Sequence, residues 1–97
     1  MRVIAIKALK EFWKKHPDLE QQLKSWYYET KKATWQKPED ITMVYGTASV
    51  LKNNRIVFNI KGNSYRLITA VNYNFGIVYI RFIGTHQEYD KINAEEI

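Results

Sequence analysis

Cysteine is absent from the 97-residue chain. That excludes disulfides, thiol nucleophiles and Cys-based zinc or iron–sulfur sites, and it fits a reducing, cytoplasmic setting. Long apolar runs are also missing. The stretch Val3 to Ile6 is too short for the core of a signal peptide, and nothing approaches the ~20 apolar residues of a membrane span. No Gly-rich phosphate loop and no nucleophile-elbow pattern occurs. No pair of carboxylates is placed for acid–base work on the strands. Most telling is a one-sided charge deficit. From Ile41 to Gln87 there is neither Asp nor Glu, although Lys52, Arg55, Lys61, Arg66 and Arg81 all lie in that interval.

The net charge of +5 points to a polyanionic partner. The N-terminal part mixes both signs, as a solvated helix surface does, so the excess is carried by the later stretch. That stretch, Arg55 to Asp90, reads as three antiparallel strands with apolar residues at every second position. Gly62-Asn63 is a two-residue hairpin signal with glycine at the first central position. It sets Asn59 opposite Arg66 and Val57 opposite Ile68. Ile56, Phe58 and Ile60 then share an apolar face with Tyr65, Leu67, Thr69 and Val71. A second turn centred on Asn74-Phe75 pairs Val71 with Val78, Leu67 with Phe82 and Ile68 with Arg81. Val78, Ile80 and Phe82 thereby join the apolar face, and Tyr79 and Arg81 the cationic one. The third strand returns toward Gly62 and delivers Gly84, Thr85, His86 and Tyr89 near Lys61 and Arg66.

Upstream, Arg2 to Ile6 reads as a short strand. A helix begins at Lys7 with Leu9, Phe12 and Trp13 on one stripe and stops at His16-Pro17. Pro17 opens a second helix, whose Leu19, Leu23, Trp26, Tyr27 and Thr30 form an amphipathic stripe that can cover the apolar sheet face. Pro38-Glu39-Asp40 is a further helix start, Thr47 to Leu51 is either extended or irregular, and the tail from Asp90 is polar. No repeat or linker divides residues 1–97, which are expected to form one domain. The expected fold is α+β: a small twisted antiparallel sheet of about four strands with two N-terminal helices on one face.

Arg66 lies mid-face on the central strand of the meander. A solvated sheet arginine is the ordinary explanation. Against it stand Lys61 and Arg81 on the same face with no acid in the strands, because uncompensated like charges destabilise a sheet. An absent anion such as phosphate explains the cluster better. His86 would ordinarily be a surface histidine; beside such a cluster it becomes a candidate for proton transfer near neutral pH. Tyr89 can pack, stack on a base or donate a proton. Glu88 and Asp90 can orient His86 or Lys91 or be merely solvated, and His16 reads as structural. His86-x-Glu88-x-Asp90 contains metal-ligand types, but no second histidine lies at useful spacing and the surroundings are cationic, so neither metal nor other cofactor is expected.

Asn63-Ser64-Tyr65-Arg66-Leu67, Tyr79 to His86, and Glu88-Tyr89-Asp90-Lys91 resemble the HigB toxins of the RelE-like mRNA interferase superfamily. The similarity covers essentially the whole chain. It implies a toxin that cleaves mRNA on the translating ribosome and is neutralised by a HigA-type helix-turn-helix antitoxin, with operator DNA reached only through that complex. By the motif match Arg66 corresponds to the sheet arginine of RelE-like active sites, Lys61 falls where those toxins carry basic residues, and His86 and Tyr89 lie in the C-terminal active-site stretch. His86 takes the place of an arginine found in RelE itself, and Tyr89 stands at a different spacing. Lys61, Arg66, His86 and Tyr89 are thus the expected catalytic residues, and Lys52, Arg55, Arg81 and Lys91 the expected RNA contacts. The chemistry expected is attack by the substrate's own 2′-OH, with His86 or Lys61 as base and Tyr89 or His86 as acid. The competing reading is a non-catalytic RNA- or ribosome-binding module on the same basic face, with Tyr79 and Tyr89 as stacking platforms.

Overall fold

The computed structural model describes residues 1–97. In chain order the elements are β1 (Arg2–Ile4), α1 (Lys7–Lys15), a 3₁₀ turn (Pro17–Leu19), α2 (Glu20–Lys32), α3 (Pro38–Thr42), β2 (Ser49–Leu51), β3 (Arg55–Ile60), β4 (Tyr65–Asn72), β5 (Ile77–Thr85) and α4 (His86–Tyr89). The class is α+β, as expected. The sheet, however, has five strands in the order β1-β5-β4-β3-β2 rather than about four. Nor is it wholly antiparallel: β1, the first strand in sequence, runs parallel to β5, the last, while the helices carry the chain from β1 to β2 at the far edge of the sheet. The ambiguous segment Thr47 to Leu51 supplies the extra edge strand, pairing Ser49 to Leu51 with Val57 to Arg55.

Proline sets the helix boundaries. His16, held extended before Pro17 (φ −130°, ψ 74°), ends α1. Pro17 then starts the 3₁₀ turn that leads into α2. Leu9 of α1 and Leu19, Leu23 and Trp26 of the second helical segment are buried against Ile56, Phe58, Ile60, Leu67, Val71 and Val78 of the sheet. Trp35 and Ile41, from the connection after α2, complete this core. The Trp35 ring stacks on Phe58 at 6.5 Å, and Trp26 meets Phe58 edge-on at 5.4 Å.

The hairpin register is as the Gly62-Asn63 signal implies: Asn59 pairs with Arg66 and Val57 with Ile68. The second hairpin begins as expected, with Val71 opposite Val78, and then departs. Between Ile68 and Thr69 the ladder shifts, so that Thr69 pairs with Ile80, Ile68 with Phe82 and Leu67 with Ile83. Arg81 is the extra residue of a β-bulge. The expected pairs Leu67–Phe82 and Ile68–Arg81 do not form. Beyond a bulge the alternation inverts, so Ile83 replaces Phe82 on the helix-covered face. Phe82 goes to the opposite face with Val57 and Ile68.

That second face is therefore not the open cationic surface the alternation suggests. The C-terminal segment crosses it. Ala94, with Ile92 and Ile97, packs over Val57 and Ile68 beside Leu51, Phe82 and Tyr89. Arg55 donates from Nε and Nη2 to the Ile97 backbone oxygen at 3.2 and 2.7 Å. Arg81 Nε donates to the same atom at 3.1 Å.

Candidate active site

Arg66 stands on β4 between Asn59 of β3 and Gly84 of β5, its cross-strand neighbours. Its guanidinium is held by the hairpin turn. Nη1 donates to the Asn63 and Tyr65 carbonyls at 2.9 and 3.3 Å, and Nη2 to Asn63 Oδ1 at 3.3 Å. No carboxylate pairs with it. The guanidinium carbon lies 5.6 Å from the centre of the Tyr89 ring, a cation–π arrangement that steadies both groups.

Tyr89 and His86 come to this end of the sheet on α4, a single turn with a reciprocal cap. Thr85 N–H donates to Glu88 Oε1 at 2.8 Å, and Glu88 N–H donates to Thr85 Oγ1 at 3.1 Å. This is the capping box, which satisfies two otherwise orphaned donors. The Thr85 backbone N–H, followed by its hydroxyl, holds the Glu88 carboxyl below the usual carboxylate range. The start of α4 is also tied to the hairpin, since His86 N–H donates to the Ser64 carbonyl at 3.0 Å. Gly84 permits this closure. A Cβ there would lie 2.5 Å from Phe82 Cζ and 3.1 Å from Glu88 Oε1. His86 itself is half exposed, with Nε2 at 3.4 Å from Asp90 Oδ2.

Lys61 departs from the expected cluster. Its φ of 52° takes it out of the strand conformation. Its amide donates to Gln22 Oε1 at 2.9 Å and its ammonium to Asp18 Oδ2 at 2.5 Å, both partners belonging to the helical layer. The shared hydrogen bond lowers the Asp18 pKa and raises that of Lys61. Lys61 is thus compensated, and Arg55 and Arg81 are occupied by Ile97. The expected group of uncompensated cations reduces to Arg66, because acceptors distant in sequence reach the others. Lys52 and Lys91 are exposed; the Lys52 amide meets Glu95 Oε2 at 3.4 Å. His16 packs between Phe12 and Tyr65, with ring centres 4.4 and 5.3 Å away. Its Nδ1 lies 3.4 Å from the Tyr65 hydroxyl.

A family model described as HigB_toxin, RelE-like toxic component of a toxin-antitoxin system, matches residues 19–92. The chain belongs to this family. Its similarity to curated HigB proteins runs end to end. It is 32% identical over 96 residues to the mRNA interferase toxin HigB of Escherichia coli K12, covering 97% of this chain and 92% of that protein. The same figures hold for the mRNA interferase HigB of Shigella flexneri. A third relative, the mRNA interferase HigB of Escherichia coli O6:H1, is 27% identical over 94 residues, or 95% and 91% of the two chains. The family match spans the helical segment beginning at Leu19, the whole β3–β5 meander and α4. It therefore includes every element that surrounds Arg66.

Reasoning from sequence brought Arg66, His86 and Tyr89 to one end of this HigB-family sheet. It missed Asn63 on the guanidinium and Glu88 as the cap of α4, and it missed Asp18, which draws Lys61 away from them. For Glu88 a signal existed, since Thr85-x-x-Glu88 is a capping-box pattern. For Asp18 there was none.

Proposed function

We propose that this HigB-family chain cuts mRNA at the uncovered end of its second sheet face, and that the substrate's own 2′-OH is the nucleophile. Arg66 carries the reading, as a steadied guanidinium with no carboxylate to neutralise it, beside an imidazole and a phenol on a capped turn. The relatives' names as mRNA interferases support the same activity.

Arg66 binds the scissile phosphate and stabilises the charge that develops on its equatorial oxygens. His86 is the general base, with Asp90 positioned to orient its imidazole. Lys61 is less available as a base, because Asp18 holds it in the ammonium form. His86 takes the 2′ proton as the O2′–P bond forms. The P–O5′ bond breaks, and Tyr89 supplies the proton to the departing O5′. The products are a 2′,3′-cyclic phosphate and a 5′-OH, and DNA is inert for lack of the 2′-OH. The toxin acts in the cytoplasm on mRNA engaged by the ribosome. A HigA-type antitoxin neutralises it, and operator DNA is met only through their complex.

The test is the chemistry of the cut ends. Cleaved transcript should carry a 2′,3′-cyclic phosphate and a 5′-OH, and a single 2′-deoxy substitution at the cut should abolish cleavage there. Products bearing a 3′-OH and a 5′-phosphate would refute the mechanism.

A further inference from the structure

The outer edge of β3 carries a groove of unusual chemistry. β2 extends only as far as Val57 along β3, so Asn59 and Ile60 have no strand on that side. The space there, about 450 Å³, is walled by Gln22, Thr47, Asn59, Gly62 and Asn63, with no apolar residue among them and no charged one. Through Gln22 and Asn59 it continues into a narrower cleft of about 190 Å³ beneath α2, bordered by Trp26, Glu29 and Tyr45.

Each amide is anchored at one end and free at the other. Gln22 accepts from the Lys61 amide through Oε1, which leaves its NH₂ to donate. Asn59 donates from Nδ2 to the Thr47 carbonyl at 3.1 Å, which leaves Oδ1 to accept. Asn63 gives Oδ1 to Arg66, which leaves its NH₂ to donate. Trp26, which borders the adjoining cleft, is only 2% exposed, and its buried Nε1 has no hydrogen-bond partner. A buried donor left unpaired is costly and calls for an acceptor.

We infer that this groove is a nucleobase subsite, taking one unstacked base of the RNA strand whose phosphate lies on Arg66. The inference rests on the mRNA-cleaving reading above. Three observations choose a base over other occupants. With no cation in its walls, and with the Glu29 carboxylate in the adjoining cleft, the groove is unsuited to a phosphate. Preset amide donors and acceptors match the edges of a nucleobase, as asparagine and glutamine do elsewhere in nucleic-acid recognition. Asn63 joins the groove to the guanidinium, so base and phosphate sites are contiguous.

Mapping cut sites across many transcripts tests this, using the full chain, Gln22→Met, Asn59→Leu, and Lys10→Ala on α1 as a control. The wild-type chain should favour particular bases at one fixed position beside the cut. Each groove variant should reduce that preference at least about fivefold, the lower end of what one good amide–base pair contributes, with preferences elsewhere and in the control unchanged. Gln22 is exposed on α2, so its variant keeps the test decisive even if Asn59→Leu fails to fold. The inference is overturned if wild type cuts without base preference, or if the variants retain the wild-type preference. It is equally overturned if they lose only affinity for the antitoxin, which would assign the groove to a protein partner. A wild-type chain that cuts no RNA would instead bring down the underlying functional reading, and the end-group assay reveals that separately.

Discussion

Leu67 and Arg66 are neighbours on β4, yet they lie on opposite faces of the sheet, and the faces are finished differently. The Leu67 face is closed by two helices and the connection after them, which bury Leu23, Trp26, Trp35, Phe58 and their neighbours in one continuous core. The Arg66 face is closed over only part of its area. There the C-terminal segment covers Val57 and Ile68, and the cover stops before Arg66. Fold stability resides chiefly in the first face, and the second is divided between a small core and the surface proposed to act on RNA. A cation can remain without a carboxylate partner at Arg66 because the first face supplies the burial that holds the sheet together.

Trp26→Ala should break this comparison most severely. The indole is almost fully buried, and removing such a side chain costs about 3–5 kcal/mol. For a domain of this size each kcal/mol lowers the melting temperature by about 4–8 °C. Thermal denaturation of the variant should therefore show a large drop, and wild-type melting would mean that the helices do not carry the core.

The same contrast shows what the sequence could convey. Ile56, Phe58 and Ile60 alternate cleanly, so the β3–β4 part of the closed face and its register were legible, as was the helical stripe from Leu19 to Thr30. The second face was not. A bulge at Arg81 adds one residue without a local signature, and Phe82 and Ile83 are both apolar, so alternation alone cannot say which one turns toward the helices. Ile92, Ala94 and Ile97 are separated by polar residues and carry no period, so nothing marked them as a cover. At the candidate site, the convergence of Arg66, His86 and Tyr89 followed from the strand directions. The pairing of Lys61 with Asp18 depended on where the helical layer lies, which local pattern does not specify.

Ile68→Ala sharpens the comparison on the second face. Ile68 is fully buried beneath the C-terminal segment, and an isoleucine-to-alanine change in a core costs about 2–5 kcal/mol. The drop should lie near the lower end, because the small cluster can settle into the space. Chemical denaturation with an unchanged m-value would register it as a stability change. No loss would mean that the segment does not pack on the sheet.

A smaller effect is expected from acid at the hinge between the layers. Asp18 has its pKa lowered, first by the hydrogen bond from Lys61. A carboxylate with a depressed folded-state pKa contributes stability that is fully present above its unfolded value and is lost as pH falls through the folded value. Wild type should therefore lose melting temperature below about pH 4 more steeply than Asp18→Asn. The difference should be modest, because the pair is exposed to solvent. Parallel curves would mean that the bridge is not populated in solution.

The division of labour between the two faces is tested most directly at Arg66, by measuring mRNA cleavage and thermal stability on the same Arg66→Ala preparation. Cleavage should fall about 100-fold or more, the usual effect of removing one group that stabilises transition-state charge. Stability should change by only about 1 kcal/mol, because what is lost is a cation–π pair and hydrogen bonds to the turn rather than core packing. A folded variant that cuts at the wild-type rate would contradict the account, as would one whose lost activity is matched by a lost fold.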